Sequence, residues 1–246
     1  MDRLIHTALS GMRASMDSQR VIASNMANAN TLGFRAEMLD QRAVTIEGQP
    51  NEARAMQRAS VRGADMAAGE TIATGRDLDV AVETDALIAV QAVDGTEAYP
   101  RRGDLSVSAT GLLVNGEGRP VLGDNGPITV PPVGIPGIAP DGSITIADPA
   151  APDQPPAEIG RIKLAAWEGS PISKGLDGLF RVEGGGILPT DEAATVKVGS
   201  LEQSNVKTTE VLVDMIDAQR LFAMRSKVIS TAREIDESGA QLMRLG

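Results

Sequence analysis

The chain has 246 residues with 33 acidic and 23 basic side chains, a formal charge of −10, which opposes adsorption to DNA, RNA or anionic lipid through diffuse electrostatics. Cysteine is absent and His6 is the single histidine, so disulfides, thiolate chemistry and multi-histidine metal clusters are excluded. With three Phe, one Tyr and one Trp, any core must be built from Leu, Ile, Val, Met and Ala.

The N-terminal apolar stretch is interrupted by His6, Ser10 and Arg13, which argues against a cleaved secretion signal, and no run reaches the roughly 18 apolar residues of a membrane span. Residues 3–28 instead read as an amphipathic helix. Ile5, Met12 and Met26 follow a seven-residue register with Gln19 in the open slot, and Leu9, Met16 and Ala23 form a second series beside it, together predicting an apolar seam. Ala8, Ser10, Gly11, Ala14, Ser15 and Ser18 are small enough to admit a neighbouring backbone if they face one. Asn25, Asn28 and Asn30 lead into Gly33-Phe34. Asparagine side chains satisfy local backbone groups and Gly33 is free to take positive φ, so these residues predict a defined helix exit.

From 34 to 75 the pattern is mixed, with Gly48-Gln49-Pro50 marking a turn, and predicts an extended connector with short strands. Between 76 and 205 the chain becomes β-like: Leu78 to Val82, Ala86 to Val93, Leu105 to Val107, Leu112 to Val114 and Val121-Leu122 alternate with turns at Asp94-Gly95, Asn115-Gly116 and Asn125-Gly126. Eight prolines fall in 131–156. They leave an Ile144-centred strand as the one candidate there, with the rest a surface loop. Ile159 to Trp167, Leu179 to Val182 and Thr195 to Val198 complete the β signal, with Trp167 a hydrophobic anchor.

A second helix is predicted from about 206 to 243. Leu221, Val228, Ile235 and Leu242 repeat every seven residues, and Met215, Phe222 and Ile229 form another series with Val211, Ala218 and Ala232 beside it. Periodicity does not count chains, so a helical hairpin within one molecule and a bundle between molecules are both open. Residues 1–33 carry net +1 and residues 206–246 carry net 0, leaving −11 on the 172 residues between. Near-neutral ends pack against copies of themselves with less repulsion than the acidic centre would impose.

No catalytic constellation is visible. Asp77, Asp79, Glu83 and Asp85 alternate as an exposed strand face would, and the glycine clusters lack the spacing of a phosphate or dinucleotide loop.

Met1-Asp2-Arg3-Leu4-Ile5, Ser10-Gly11-Met12 and 23–34 resemble the N-terminal signature of flagellar rod and hook proteins. Gly199 to Val206 and Asp214 to Arg220 resemble that family's C-terminal signature, and Gly111 to Gly123 its β domain. The resemblance implies an α+β fold: terminal helices 1–33 and 206–246 forming an inner coiled-coil domain, a connector over 34–75 and an outer, mostly antiparallel β domain over 76–205. It implies a structural subunit of the proximal rod that partners itself and neighbouring rod proteins and leaves the cell through the flagellar export apparatus without a cleaved signal. It implies no catalysis, no cofactor, no nucleic acid and no membrane insertion. The seam residues Ile5, Leu9, Met12, Met16, Met26, Met215, Leu221, Phe222, Val228, Ile229, Ile235 and Leu242 are the expected assembly contacts. Another rod subunit of the same family, or a secreted cell-wall-binding module, are the alternatives.

Overall fold

The computed structural model describes the backbone of residues 2–47, 52–148 and 154–244, and the side chains of 7–39, 63–148, 154–235, 237 and 238. The chain divides into two units, one of residues 1–27, 37–63 and 207–246, the other of residues 28–36 and 64–206.

In the first unit, helix α1 spans Asp2–Ala27 and helix α2 spans Thr208–Arg244, within two residues of the expected bounds. Two strands, β1 (Glu37–Glu47) and β2 (Glu52–Ala64), pair with each other. The expected connector is therefore divided: its long strands belong with the helices, while 34–36 and 65–75 belong with the β unit. The Gly48-Gln49-Pro50 turn lies outside the described residues.

The second unit is closed by nested long-range pairs. Its early strands Thr71–Ala73, Val80–Val82 and Ala86–Ile88 pair antiparallel with the late strands Ser200–Glu202, Val196–Val198 and Leu164–Ala166. Hairpins fill the interval, including Leu105–Val107 with Leu113–Asn115 and Ile172–Lys174 with Phe180–Val182. The apolar run Ala86-Leu87-Ile88-Ala89-Val90 explains itself here, because both faces are covered. Ala86, Ile88 and Val90 enter a core with Leu105, Leu113, Ile144 and Leu164, and Leu87 and Ala89 enter a second with Tyr99, Ala165, Phe180 and Leu188. Trp167 packs, partly buried, against the second core.

The proline-rich segment is more ordered than its composition predicts. Ser143–Ala147 is the centre of a three-stranded sheet flanked by Ile135–Ile138 and Ala157–Arg161. Pro136 sits opposite Ile146 in the first flanking strand. An edge strand needs no donor on its outer side, so proline is tolerated there.

Tyr99 is fully buried and its phenolic oxygen accepts the Leu188 N–H at 2.7 Å. Tyr99→Phe leaves that buried donor unpaired, and we expect about 1–3 kcal/mol lower stability in urea unfolding, with the far-ultraviolet spectrum unchanged.

Candidate functional site: the helix pair and the chain crossing

α1 and α2 run antiparallel, since Gly11 and Ser15 meet Arg225 while Gln19 meets the Ala218 carbonyl. The α1 face in this contact is its small and polar side: Ser10, Ala14, Ser15, Val21 and Asn25 are buried. Arg225 donates to the Gly11 carbonyl and the Ser15 hydroxyl. On α2 Ala218 is buried, and Val211, Met215, Phe222, Ile229 and Ala232 are half-buried.

The two heptad series therefore separate. Met215, Phe222 and Ile229 lie on the same side of α2 as Ala218 and Arg225, whereas Leu221, Val228 and Ile235 stay 40–54% exposed on its flank. On α1, Leu9 and Met16 are exposed and Met12 and Met26 half-buried. Leu9 and Met16 stand on the face turned away from α2, while Met12 and Met26 share the stripe of Gln19, which meets α2. The side chains of Ile5 and Leu242 lie outside the described residues. A groove of about 370 Å³ opens where α1, α2 and the start of β1 meet, with Val21, Ile22, Leu39 and Leu221 as walls and Asp214 and Asp217 at its rim.

The helix-exit residues do two different things. Asn25, still inside α1, exchanges two hydrogen bonds with the Glu37 backbone, accepting its N–H at 2.7 Å and donating to its carbonyl at 3.0 Å. One side chain thus imitates a strand neighbour and fixes the start of β1 on the helix. Asn28 accepts from the Thr31 backbone N–H at 3.1 Å through its carbonyl and from the Thr31 hydroxyl at 3.1 Å through its side chain, while Asn30 is exposed. Gly33 lies six positions beyond the helix and takes φ 65°. Its N–H donates to the Glu202 carbonyl at 2.8 Å. Phe34 is buried under the Lys174 ammonium, 3.4 Å from the ring centroid.

Beside Phe34 lies a feature that no periodicity announces. Arg35, Arg101 and Glu202 are 2%, 4% and 3% exposed. Glu202 Oε1 stands 2.6 Å from Arg35 Nη1 and accepts the Gly69 N–H at 2.8 Å, and Oε2 accepts Arg101 Nε at 2.8 Å. Arg101 spends its remaining donors on the carbonyls of Val82, Thr84 and Ala86. Arg35 keeps Nε unpartnered among the described residues. Burial lowers its pKa from the ordinary value while Glu202 opposes that shift. Asn205 completes the crossing, accepting the Ala36 N–H at 2.7 Å and donating to the Asp65 and Ala67 carbonyls. Four passes of the chain, at 35–36, 65–69, 101 and 202–205, are thereby tied at one carboxylate and one amide.

The carboxylates weighed as catalytic do not converge. Asp77, Glu83 and Asp85 are exposed, and Asp79, against expectation, is buried because it accepts the Thr74 hydroxyl at 2.7 Å and faces Arg76 at 3.4 Å. Among the described residues no group of three or more acidic or histidine side chains is placed to hold a metal, and no helix is long and apolar enough to cross a membrane.

Two terminal helices lie in one unit and the intervening short strands in the other, and family models match both ends of the chain and its middle. Residues 5–35 match the family described as flagella basal body rod protein, 81–148 the flagellar hook protein FlgE/F/G D1 domain, and 197–242 the flagellar basal body rod FlgEFG protein C-terminal family. The first and last matches carry Arg35 and Glu202, so both halves of the buried pair lie within matched segments. The flagellar basal-body rod protein FlgF of Salmonella typhimurium is 41% identical over 251 residues, covering 100% of both chains. FlgF of Escherichia coli is 40% identical with the same coverage, and FlgG of Bacillus subtilis is 31% identical over 99% of this chain and 100% of its own. The chain belongs to the flagellar basal-body rod protein family, a family of structural rod subunits.

Two outcomes follow for the crossing. Glu202→Gln leaves two buried guanidinium groups without their carboxylate and should lower stability by about 3–5 kcal/mol in urea unfolding followed at Trp167. Gly33→Val combines a positive φ with a Cβ 2.5 Å from the Arg101 carbonyl carbon; unfolding should show a loss above the roughly 1–3 kcal/mol of backbone strain alone.

Proposed function

We propose that this chain is a subunit of the proximal rod, assembling with copies of itself and with neighbouring rod proteins into the axial shaft that transmits torque for motility. α1 and α2 act as the inner, coiled-coil domain and the β unit as the outer domain. The observation that carries the reading is the flank of α2: Leu221, Met224, Val228 and Ile235 stand 40–60% exposed in one apolar line. A line of that length on a helix already packed along another face is suited to a second neighbour. The near-neutral ends and the acidic centre support the same division between an assembling core and a solvated exterior.

Export through the flagellar apparatus without a cleaved signal belongs to this reading, as does a role without catalysis, cofactor, nucleic acid or membrane insertion. The work of such a subunit is mechanical: it resists shear through packed helices rather than lowering a reaction barrier.

Val228 is 52% exposed, so Val228→Asp should leave the thermal unfolding of the isolated chain within about 0.5 kcal/mol of native. In the assembled rod the same carboxylate would be desolvated without a partner. Purified basal bodies from cells making equal amounts of either chain should contain the native protein and lack the variant, with swimming lost. Native-level incorporation of the variant would overturn the reading of this flank.

A further inference from the structure

The chain changes from one unit to the other at Ala27/Asn28, Ala36/Glu37, Gly63/Ala64 and Val206/Lys207. Within the β unit, the segments beside the last three of these changeovers meet at one side chain. Asn205 stands next to Val206; its Oδ1 accepts the Ala36 N–H at 2.7 Å, and its Nδ2 donates to the Asp65 carbonyl at 2.8 Å and the Ala67 carbonyl at 3.0 Å. Backbone bonds run alongside, from Asp65 N–H to the Ala36 carbonyl at 2.8 Å and from Asn205 N–H to the Phe34 carbonyl at 3.3 Å. Only a carboxamide offers two N–H donors and a carbonyl acceptor in one planar group, and here all three functions are used on two other segments. Glu37, the residue after Ala36, is held in its own unit by both bonds of Asn25. Adjoining residues are thus each bound by an asparagine of their own unit.

Burial grades the crossing from one end to the other. Around Glu202 the charged side chains are at most 4% exposed, and a Cβ on Gly69 would collide with the Gln203 carbonyl oxygen. Ala36, Asp65 and Asn205 are half-buried and Ala67 is exposed. Water competes for the partners of the amide and is kept from those of the carboxylate, so the amide end opens at the lower free energy.

We propose that Asn205 is a releasable clasp: closed, it makes three segments bear load together, and open, it lets them part locally while the Glu202 anchor keeps the β unit folded. The load is that of the rod reading, on which this mechanical role rests. Hydrogen bonds strained side by side must break together, whereas untied segments yield one at a time. The closed clasp therefore raises the force that the changeovers withstand, and its opening gives way before the anchor does.

Amide hydrogen exchange on the full-length chain reads the clasp directly. Asn205→Ala should speed exchange at Ala36 and Asp65 about tenfold or more, while Gly33 and Gly69 beside Glu202, and Leu188 in the core, stay within about threefold of native. Asn205→Asp keeps the size and the acceptor for Ala36 but turns both donors into an oxygen facing two carbonyls, so Asp65 should again exchange faster. Native protection of Ala36 and Asp65 in the alanine variant, or of Asp65 in the aspartate variant, would overturn the clasp. Equal loss of protection at Gly33, Gly69 and Leu188 would overturn its separation from the anchor. In cells, both variants should enter basal bodies at native level and swim normally in dilute medium, then fall behind native cells as methylcellulose raises the viscosity. Native speed at high viscosity, or loss of the variants from basal bodies, would overturn the load-bearing role. Absence even of the native chain from basal bodies would overturn the rod reading, and the exchange result would still decide the clasp.

Discussion

Glu202 is the residue on which the β unit turns. Its carboxylate answers Arg101 and Arg35 and takes the Gly69 N–H, all below 5% exposure for the three charged side chains. A buried charge group of this kind contributes little net stability compared with a well-packed apolar cluster. Its effect is specificity. The chain must bring 33–36, 65–73, Arg101 and 199–206 together for both guanidinium groups to find the same carboxylate. Any other crossing leaves an ion uncompensated in a dry interior. For a domain inserted between two terminal helices, the entry and exit strands must emerge together, and this cluster fixes that point.

The helix unit solves a different problem. A helix pair that used its largest apolar residues internally would have nothing left for neighbours. Here the intramolecular contact takes Ser10, Ala14, Ser15 and Ala218, with Arg225 donating across the interface to Gly11 and Ser15. Small side chains allow close approach, and the guanidinium supplies directional bonds in place of apolar volume. Leu221, Met224 and Val228 are thereby left on the flank.

The amino-acid sequence carries whatever depends on period or on local backbone chemistry. Both helices, most strand positions and the turns at Asp94-Gly95 and Asn125-Gly126 follow from spacing and from glycine geometry. Composition does not announce the strand Ile135–Ile138, because proline forbids a central strand but not an edge, and edge position is a property of the finished sheet. The burial of Asp79 is hidden for the same reason: alternation gives a face, not what covers it. Of the residues at the crossing, Gly33 and Phe34 were legible through the loop signal, whereas Arg35 and Arg101 carry no local mark.

The sequence by itself determined the α+β class, the two long helices and their heptad series, because those depend on residues a few positions apart. Tertiary structure alone decided which face of α1 meets α2, that β1 and β2 join the helices, and that Glu202 sits between Arg35 and Arg101. The helix pairing and the Glu202 contacts join residues more than a hundred positions apart, and even the Asn25–Glu37 bonds that hold β1 to α1 span twelve. Their energy depends on desolvation and on the closeness of backbones, neither of which a linear pattern contains.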